Sequence, residues 1–139
     1  MLSAKAIVEK MLEKDAFSKW LGIEVLELEA GSCKLRMQIR EEMLNGFEIA
    51  HGGITFSFAD SALAFASNGG GKKSVSIETS ISHLVSLKAG DRIIAEAKLE
   101  TETEKLGHYS IRVFKEHDTE HKVVALFKGI VYRTGKNWD

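Results

Sequence analysis

The chain has 139 residues, of which 44% are apolar and 28% charged, a composition typical of globular proteins and unlike that of disordered ones. Nineteen basic and twenty acidic side chains leave a formal net charge of -1, so no overall positive field favours nucleic acid or an anionic membrane as a partner. No apolar segment reaches the length of a membrane span or a signal peptide. We therefore expect one domain over residues 1–139, located in the cytoplasm, with no cofactor and no bound metal.

The first third of the chain predicts a helix and then a β-hairpin. Apolar side chains recur at helical spacing from Ile7 to Leu12, with charged residues between them, which indicates a short amphipathic N-terminal helix. From Ile23 to Arg40 the pattern changes to a period of two, interrupted at Gly31. This alternation predicts two antiparallel strands joined near the glycine.

The remainder predicts one buried helix followed by strands. Residues 54–68 carry apolar side chains nearly all round the helical wheel, and three consecutive glycines follow. Alternating segments then recur to the end of the chain, and the short separators at 88–91, 105–107 and 117–121 fit antiparallel hairpins. The pattern predicts an α+β fold in which one curved antiparallel sheet surrounds one long helix.

Two glycines, Gly52 and Gly53, precede this helix in place of a conventional capping residue. The first N–H groups of a helix lack internal partners and lie at its positive end, so glycine there lets a developing oxyanion approach the backbone. The side-chain amide of Asn45 can add a second donor to the same oxygen. Both glycines are therefore candidates for an oxyanion hole.

Asp60 lies about two turns into the most apolar helix, where an ionised carboxylate is costly unless it is paired or functional. Low-dielectric surroundings raise the pKa of a carboxyl group and strengthen it as a base that activates water. Direct attack by Asp60 through an anhydride is an alternative. A third interpretation is structural, because Asp60 belongs to a narrow stripe of polar or small residues that can simply face solvent.

Taken together, Asn45, the tripeptide His51-Gly52-Gly53 and Asp60 nine residues after the histidine resemble the hotdog-fold acyl-CoA thioesterases. The likeness is to the phenylacetate-degradation (PaaI-like) branch and runs from about Phe17 to Arg133. The resemblance implies a hotdog fold, with a short N-terminal helix and a curved antiparallel sheet wrapped round a long central helix. It also implies hydrolysis of an acyl or aryl-acyl thioester of coenzyme A.

The resemblance assigns a role to each matching position. Asp60 matches the catalytic carboxylate, Gly52 the glycine whose N–H polarises the carbonyl, and Asn45 the asparagine beside the thioester. His51 matches the histidine that shapes the loop, and Ser76 aligns with a hydroxyl that in some members holds the nucleophilic water. Further residues expected to contact substrate are Gly53, Phe47 and Leu44.

In this family the active site forms across a dimer interface, so the resemblance implies a homodimer or homotetramer. Asn45, His51 and Gly52 of one subunit would then act with Asp60 and Ser76 of another. Two competing functions remain. One is a hydratase or dehydratase of the same fold, which would be expected to use a histidine, with His51 as the candidate. The other is a non-catalytic acyl-CoA-binding or regulatory module.

Two histidine features carry less weight. His83 stands where relatives usually have an aromatic or large apolar residue, and its alternation with Ile81 and Val85 favours a hydrogen-bonded core histidine over a functional one. His117 and His121 have the spacing of a helical metal pair, but the residues between them indicate a turn, which argues against a metal site.

Overall fold

The computed structural model describes all 139 residues. Six strands form one antiparallel sheet in the order β1-β2-β4-β5-β6-β3. The strands are β1 Glu24–Glu29, β2 Ser32–Gln38, β3 Lys72–His83, β4 Arg92–Glu102, β5 Leu106–Lys115 and β6 Val123–Asn137. The predicted hairpin is confirmed as β1 and β2.

The long helix α3, Gly52–Asn68, lies against the sheet, and its apolar side chains are covered by β2 to β6. Phe58 and Phe65 are fully buried. Gly129 of β6 faces the helix, and a Cβ atom built there would lie only 2.5 Å from Leu63 Cδ2. Glycine at this position therefore allows the sheet and helix to approach closely, and the predicted arrangement of one sheet round one buried helix is confirmed.

Two short helices precede the hairpin. The predicted N-terminal helix is α1, Ala4–Lys14, which buries Ile7 and Val8 and begins with Ser3 as its cap. A second helix, α2, Ala16–Leu21, was not predicted, because six residues are too few to establish a helical period. It is defined instead by its ends: the Asp15 side chain accepts the Ser18 N–H, and Gly22 ends the helix at a φ of 76°.

The position of β3 corrects the expected connectivity. The segment at 88–91 was predicted to close a hairpin, but β3 lies at the edge of the sheet beside β6, whereas β4 pairs with β2 and β5. The chain between β3 and β4 therefore crosses the end of the sheet. Local turn residues specify a change of direction and not which strand becomes the neighbour.

A β-bulge also changes the faces of β3. The pairing register shifts between Ser76 and Glu78, so Val75 lies opposite Tyr132 on the outer face, whereas Thr79 lies opposite Gly129 on the helix-facing side. Strict alternation through β3 would place Val75 and Thr79 on one face, and the extra residue at the bulge moves them to opposite faces.

None of the helices has the length and apolar character required to cross a membrane.

Candidate active site

The first backbone amides of α3 differ in whether they have a hydrogen-bond acceptor within the chain. His51 is the N-cap, and its Nδ1 accepts the Gly53 N–H at 2.9 Å. The His51 carbonyl accepts the Ile54 N–H, also at 2.9 Å. The Gly52 N–H donates to no acceptor in the chain. Of the two candidate glycine amides, only that of Gly52 is free to bind an external oxygen.

The helix begins two residues earlier than its apolar pattern indicates because the cap is a histidine. Capping is usually attributed to Ser, Thr, Asn or Asp, whose short side chains reach the second or third amide. In this chain an imidazole nitrogen makes the same contact. His51 thus fixes the direction in which the first turn of α3 leaves the preceding loop.

Asn45 is held in a tight turn just before the helix. Its Oδ1 accepts the Phe47 N–H at 2.8 Å, its backbone N–H donates to the Ile49 carbonyl at 2.8 Å, and its carbonyl accepts the Glu48 N–H at 3.0 Å. Glu48 adopts a φ of 63° to complete this turn. With the side-chain oxygen engaged, the NH₂ group of Asn45 has no acceptor in the chain and remains available as a donor.

A cavity of about 330 Å³ lies at the N-terminus of α3 and brings Asn45 and Gly52 together. Its other lining groups come from the loop before α3, the first turn of α3, the end of β3, the crossover that follows it and the start of β6. They are Ile49, Ala50, Thr55, His83, Leu84, Val85, Ser86, Leu87 and Val124. A cavity lined by apolar side chains and a few polar donors is typical of a small-molecule site.

The expectation for His83 was wrong. Its side chain is exposed and lines the cavity instead of lying in the core. Only His51 uses its ring in a hydrogen bond, and only His117 lies within ion-pair distance of a carboxylate, so the His83 ring has no polar partner. The alternating pattern places His83 correctly on the helix-facing side of β3, but at the end of the strand that side opens into the cavity.

Asp60 lies outside this cavity, half-buried on α3. No hydrogen bond or ion pair supports its carboxylate. Burial, with a smaller contribution from the negative charge of Asp15, raises the pKa of Asp60 above its ordinary value. Asp60 is thus the only charged residue of α3, and its carboxyl group has no hydrogen-bond or ion-pair partner.

Within one chain, Asp60 and Gly52 are too far apart to act on the same atom. Asp60 comes eight positions after Gly52 in the helix, which corresponds to about 12 Å along the helix axis. Ser76 lies opposite the buried Val131 and therefore on the side of β3 that faces α3. The chain thus carries two separate groups: Asn45 and Gly52 at the cavity, and the Asp60 carboxylate farther along α3. The Ser76 side chain is exposed.

The two remaining residues expected to contact substrate differ in their surroundings. Phe47 projects from the loop with 85% of its surface exposed. Leu44 is half-buried and packs against the hydrophobic core.

A larger depression of about 660 Å³ lies on the outer face of the sheet and is lined mainly by charged residues of β1, β2 and β4. It contains neither group described above, and the ion pairs of Lys34 with Glu27 and Glu96 account for its polar lining.

Comparison with known proteins identifies the family. The model of the Thioesterase superfamily matches residues 47–122, which is more than half of the chain. Acyl-coenzyme A thioesterase PaaI of Escherichia coli (strain K12) is 36% identical over 125 residues, covering 90% of this chain and 87% of that protein.

Solved structures agree with this match. The structure of the E. coli PaaI protein from the phenylacetic acid degradation operon superposes with a TM-score of 0.90 at 34% identity, covering 96% of this chain and 95% of that one. A mutant of phenylacetic acid degradation protein PaaI from Thermus thermophilus gives a TM-score of 0.79 at 34% identity, covering 86% and 99%. The chain therefore belongs to the thioesterase superfamily, as a hotdog-fold protein of the PaaI-like branch.

Proposed function

We propose that this protein is an acyl-CoA thioesterase that hydrolyses an acyl or aryl-acyl thioester to the free acid and coenzyme A. The observation that carries the proposal is the unpaired Gly52 N–H at the N-terminus of α3, which opens into the same cavity as Asn45. The 36% identity to an E. coli protein named as an acyl-coenzyme A thioesterase supports the substrate class.

Gly52 and Asn45 polarise the thioester carbonyl in this proposal. As the nucleophile adds, negative charge develops on the carbonyl oxygen, and the Gly52 N–H and the positive end of the α3 dipole stabilise it. The free NH₂ group of Asn45 donates to the same oxygen or orients the thioester beside it. His51 acts indirectly, because its bond to the Gly53 N–H holds the first turn in place.

Asp60 supplies the base or the nucleophile. As a base, it takes a proton from water, the hydroxide oxygen adds to the carbonyl carbon, and collapse of the adduct expels the thiolate of coenzyme A. As a nucleophile, its carboxylate adds to the carbonyl carbon and expels the thiolate of coenzyme A, and water then cleaves the resulting anhydride. The raised pKa supports either role, because a less well solvated carboxylate is a stronger base.

The separation of the two groups along α3 supports a site shared between subunits. Strand β3 is an edge strand, and two of its apolar side chains, Val75 and Ile77, are 56% and 58% exposed. Unpaired strand edges with exposed apolar residues favour pairing with another strand. Two-fold pairing along β3 would bring Asp60 and Ser76 of one subunit to Asn45 and Gly52 of the other, in a dimer or a dimer of dimers.

The direct test is release of free thiol from a panel of acyl-CoA and aryl-acyl-CoA substrates. Asp60→Asn should bind substrate but lower turnover at least about a hundredfold, the lower end of what a general base contributes. Glu13→Gln is a matched control, because Glu13 is an exposed carboxylate on α1. Unchanged turnover in Asp60→Asn would exclude the assigned chemistry, and hydration of an enoyl thioester would favour a hydratase.

Subunit complementation tests the shared site. Gly52→Pro and Asp60→Asn should each be inactive alone, because each removes one half of every site. In a mixed dimer one site combines both lesions and the other combines two intact halves, so co-refolding equal amounts should recover about one quarter of the wild-type activity. No recovery despite mixed dimer formation would place both groups within a single subunit.

A further inference from the structure

His83 lies directly over the first residue of α3. A Cβ atom built on Gly52 would lie 3.2 Å from His83 Nε2 and 3.5 Å from its Cε1, so the imidazole presents its Nε2 edge to the glycine. His83 is the last residue of β3 and lies opposite Ala125, on the side of the sheet that faces the helix. Its ring therefore forms part of the wall beside the free Gly52 amide.

The distance allows one oxygen to contact both groups. A residue's Cβ lies about 2.5 Å from its backbone nitrogen, so His83 Nε2 is less than about 6 Å from the nitrogen of Gly52. Two N–H···O bonds of about 2.9 Å to a common oxygen span nearly this distance. An oxygen bound by the Gly52 amide thus lies within reach of His83 Nε2 after at most a small adjustment of the ring.

The ring also has capacity to donate. No side chain or backbone group of the chain hydrogen-bonds to the His83 ring, and the residue borders the same cavity as Asn45. A neutral imidazole carries one N–H, and the tautomer protonated on Nε2 directs it towards the space in front of Gly52. The backbone that carries this donor is held in β3 by its pairing with Ala125, so the ring needs at most a small adjustment to reach the oxygen.

On the basis of the proposed thioesterase function, we propose that His83 is a further catalytic residue. Its Nε2–H donates a hydrogen bond to the thioester oxygen as that oxygen gains negative charge. His83 keeps its proton: Asp60 takes the proton of the attacking water, the water oxygen forms the new C–O bond, and the C–S bond breaks to release the thiolate of coenzyme A. Gly52, Asn45 and His83 then form a three-donor oxyanion site.

Substitutions can separate a donor from a ring that merely fills space. His83→Phe keeps an aromatic ring of similar size without the N–H, whereas His83→Gln replaces the ring with an amide NH₂ that reaches about as far as Nε2. We expect His83→Phe to lower kcat about a hundredfold, the usual effect of losing one such donor, with KM changed less than about threefold. His83→Gln should recover at least a tenth of the wild-type kcat.

Three results would overturn the proposal. They are wild-type kcat in His83→Phe, a loss confined to KM, and a kcat for His83→Gln as low as that for His83→Phe. Circular dichroism and thermal unfolding should show unchanged folding, as expected for an exposed side chain. Wild type and Asp60→Asn are measured in parallel to separate the thioesterase function from the role of His83. A wild type that releases no thiol refutes the proposed function. An active wild type with an equally active His83→Phe variant refutes only the role of His83.

Discussion

Replacement of Gly52 by proline isolates the contribution of one backbone N–H. Gly52 is the first residue of α3, a position where proline is favoured because its fixed φ suits the helix and its missing N–H breaks no helical bond. The preceding residue, His51, has a ψ of 137°, the extended conformation that a following proline requires. Because the Gly52 N–H has no acceptor in the chain, we expect the fold to tolerate the substitution.

The steric part of the change can be measured with a matched variant. Both Gly52→Ala and Gly52→Pro place a Cβ 3.2 Å from His83 Nε2, which requires the exposed ring to move by a few tenths of an ångström. Only the proline also replaces the N–H by a ring carbon, which cannot donate a hydrogen bond to the carbonyl oxygen. The ratio of their kcat values therefore reports on the oxyanion contact itself.

We expect Gly52→Pro to have a kcat about 10²- to 10³-fold below that of Gly52→Ala, which corresponds to about 2.7–4 kcal/mol of transition-state stabilisation. Thiol release with a saturating acyl-CoA provides the measurement, and urea unfolding checks that both variants have similar stability. Equal kcat values in two folded variants would refute the argument that Gly52 polarises the carbonyl.

Three further predictions concern the cap, the acid and the sheet edge. His51→Ala should lower the free energy of unfolding by about 1 kcal/mol in urea titrations, because the Gly53 N–H loses its acceptor; an unchanged midpoint would contradict this. Burial raises the pKa of Asp60, which means that the ionised carboxylate destabilises the folded state. The free energy of unfolding is therefore unaffected by this charge at low pH, where the carboxyl group is protonated, and decreases as pH rises through the raised pKa. Asp60→Asn should therefore increase stability at neutral pH but not in acid, while wild-type kcat/KM should fall as pH drops through that pKa. Ile77→Lys should shift the protein to smaller species in sedimentation velocity, and an unaltered distribution would exclude β3 as the interface.

The sequence predicts those elements whose burial pattern is both long and regular. Helix α3 and the hairpin around Gly31 are evident because apolar periodicity over many residues reflects one buried face. Helix α2 is too short for such a pattern and depends on the caps at Asp15 and Gly22. The edge position of β3 depends on contacts between residues far apart in the chain, which periodicity does not encode.

The candidate site follows the same division. Gly52 and Asp60 can be selected from the sequence because each is unusual at its position. Gly52 stands at a helix start where a conventional capping residue is expected, and Asp60 is an acid among mainly apolar residues. His83 is not unusual at its position, since it fits the alternation of β3 as a helix-facing residue. Its proposed role depends on where β3 ends relative to α3, and only the assembled sheet shows that its ring borders the cavity.

The tripeptide His51-Gly52-Gly53 gains a more specific meaning from these contacts. Both glycines present amides at the positive end of α3, and the His51 ring takes the second of them as a structural bond. That contact leaves the first amide free and fixes its direction. The His83 ring lies in the space that a side chain at position 52 would need. Any larger residue at position 52 would therefore displace this candidate donor and also crowd the substrate oxygen. The His83 ring therefore favours glycine at position 52, and the proposed contact with the substrate oxygen would favour it independently.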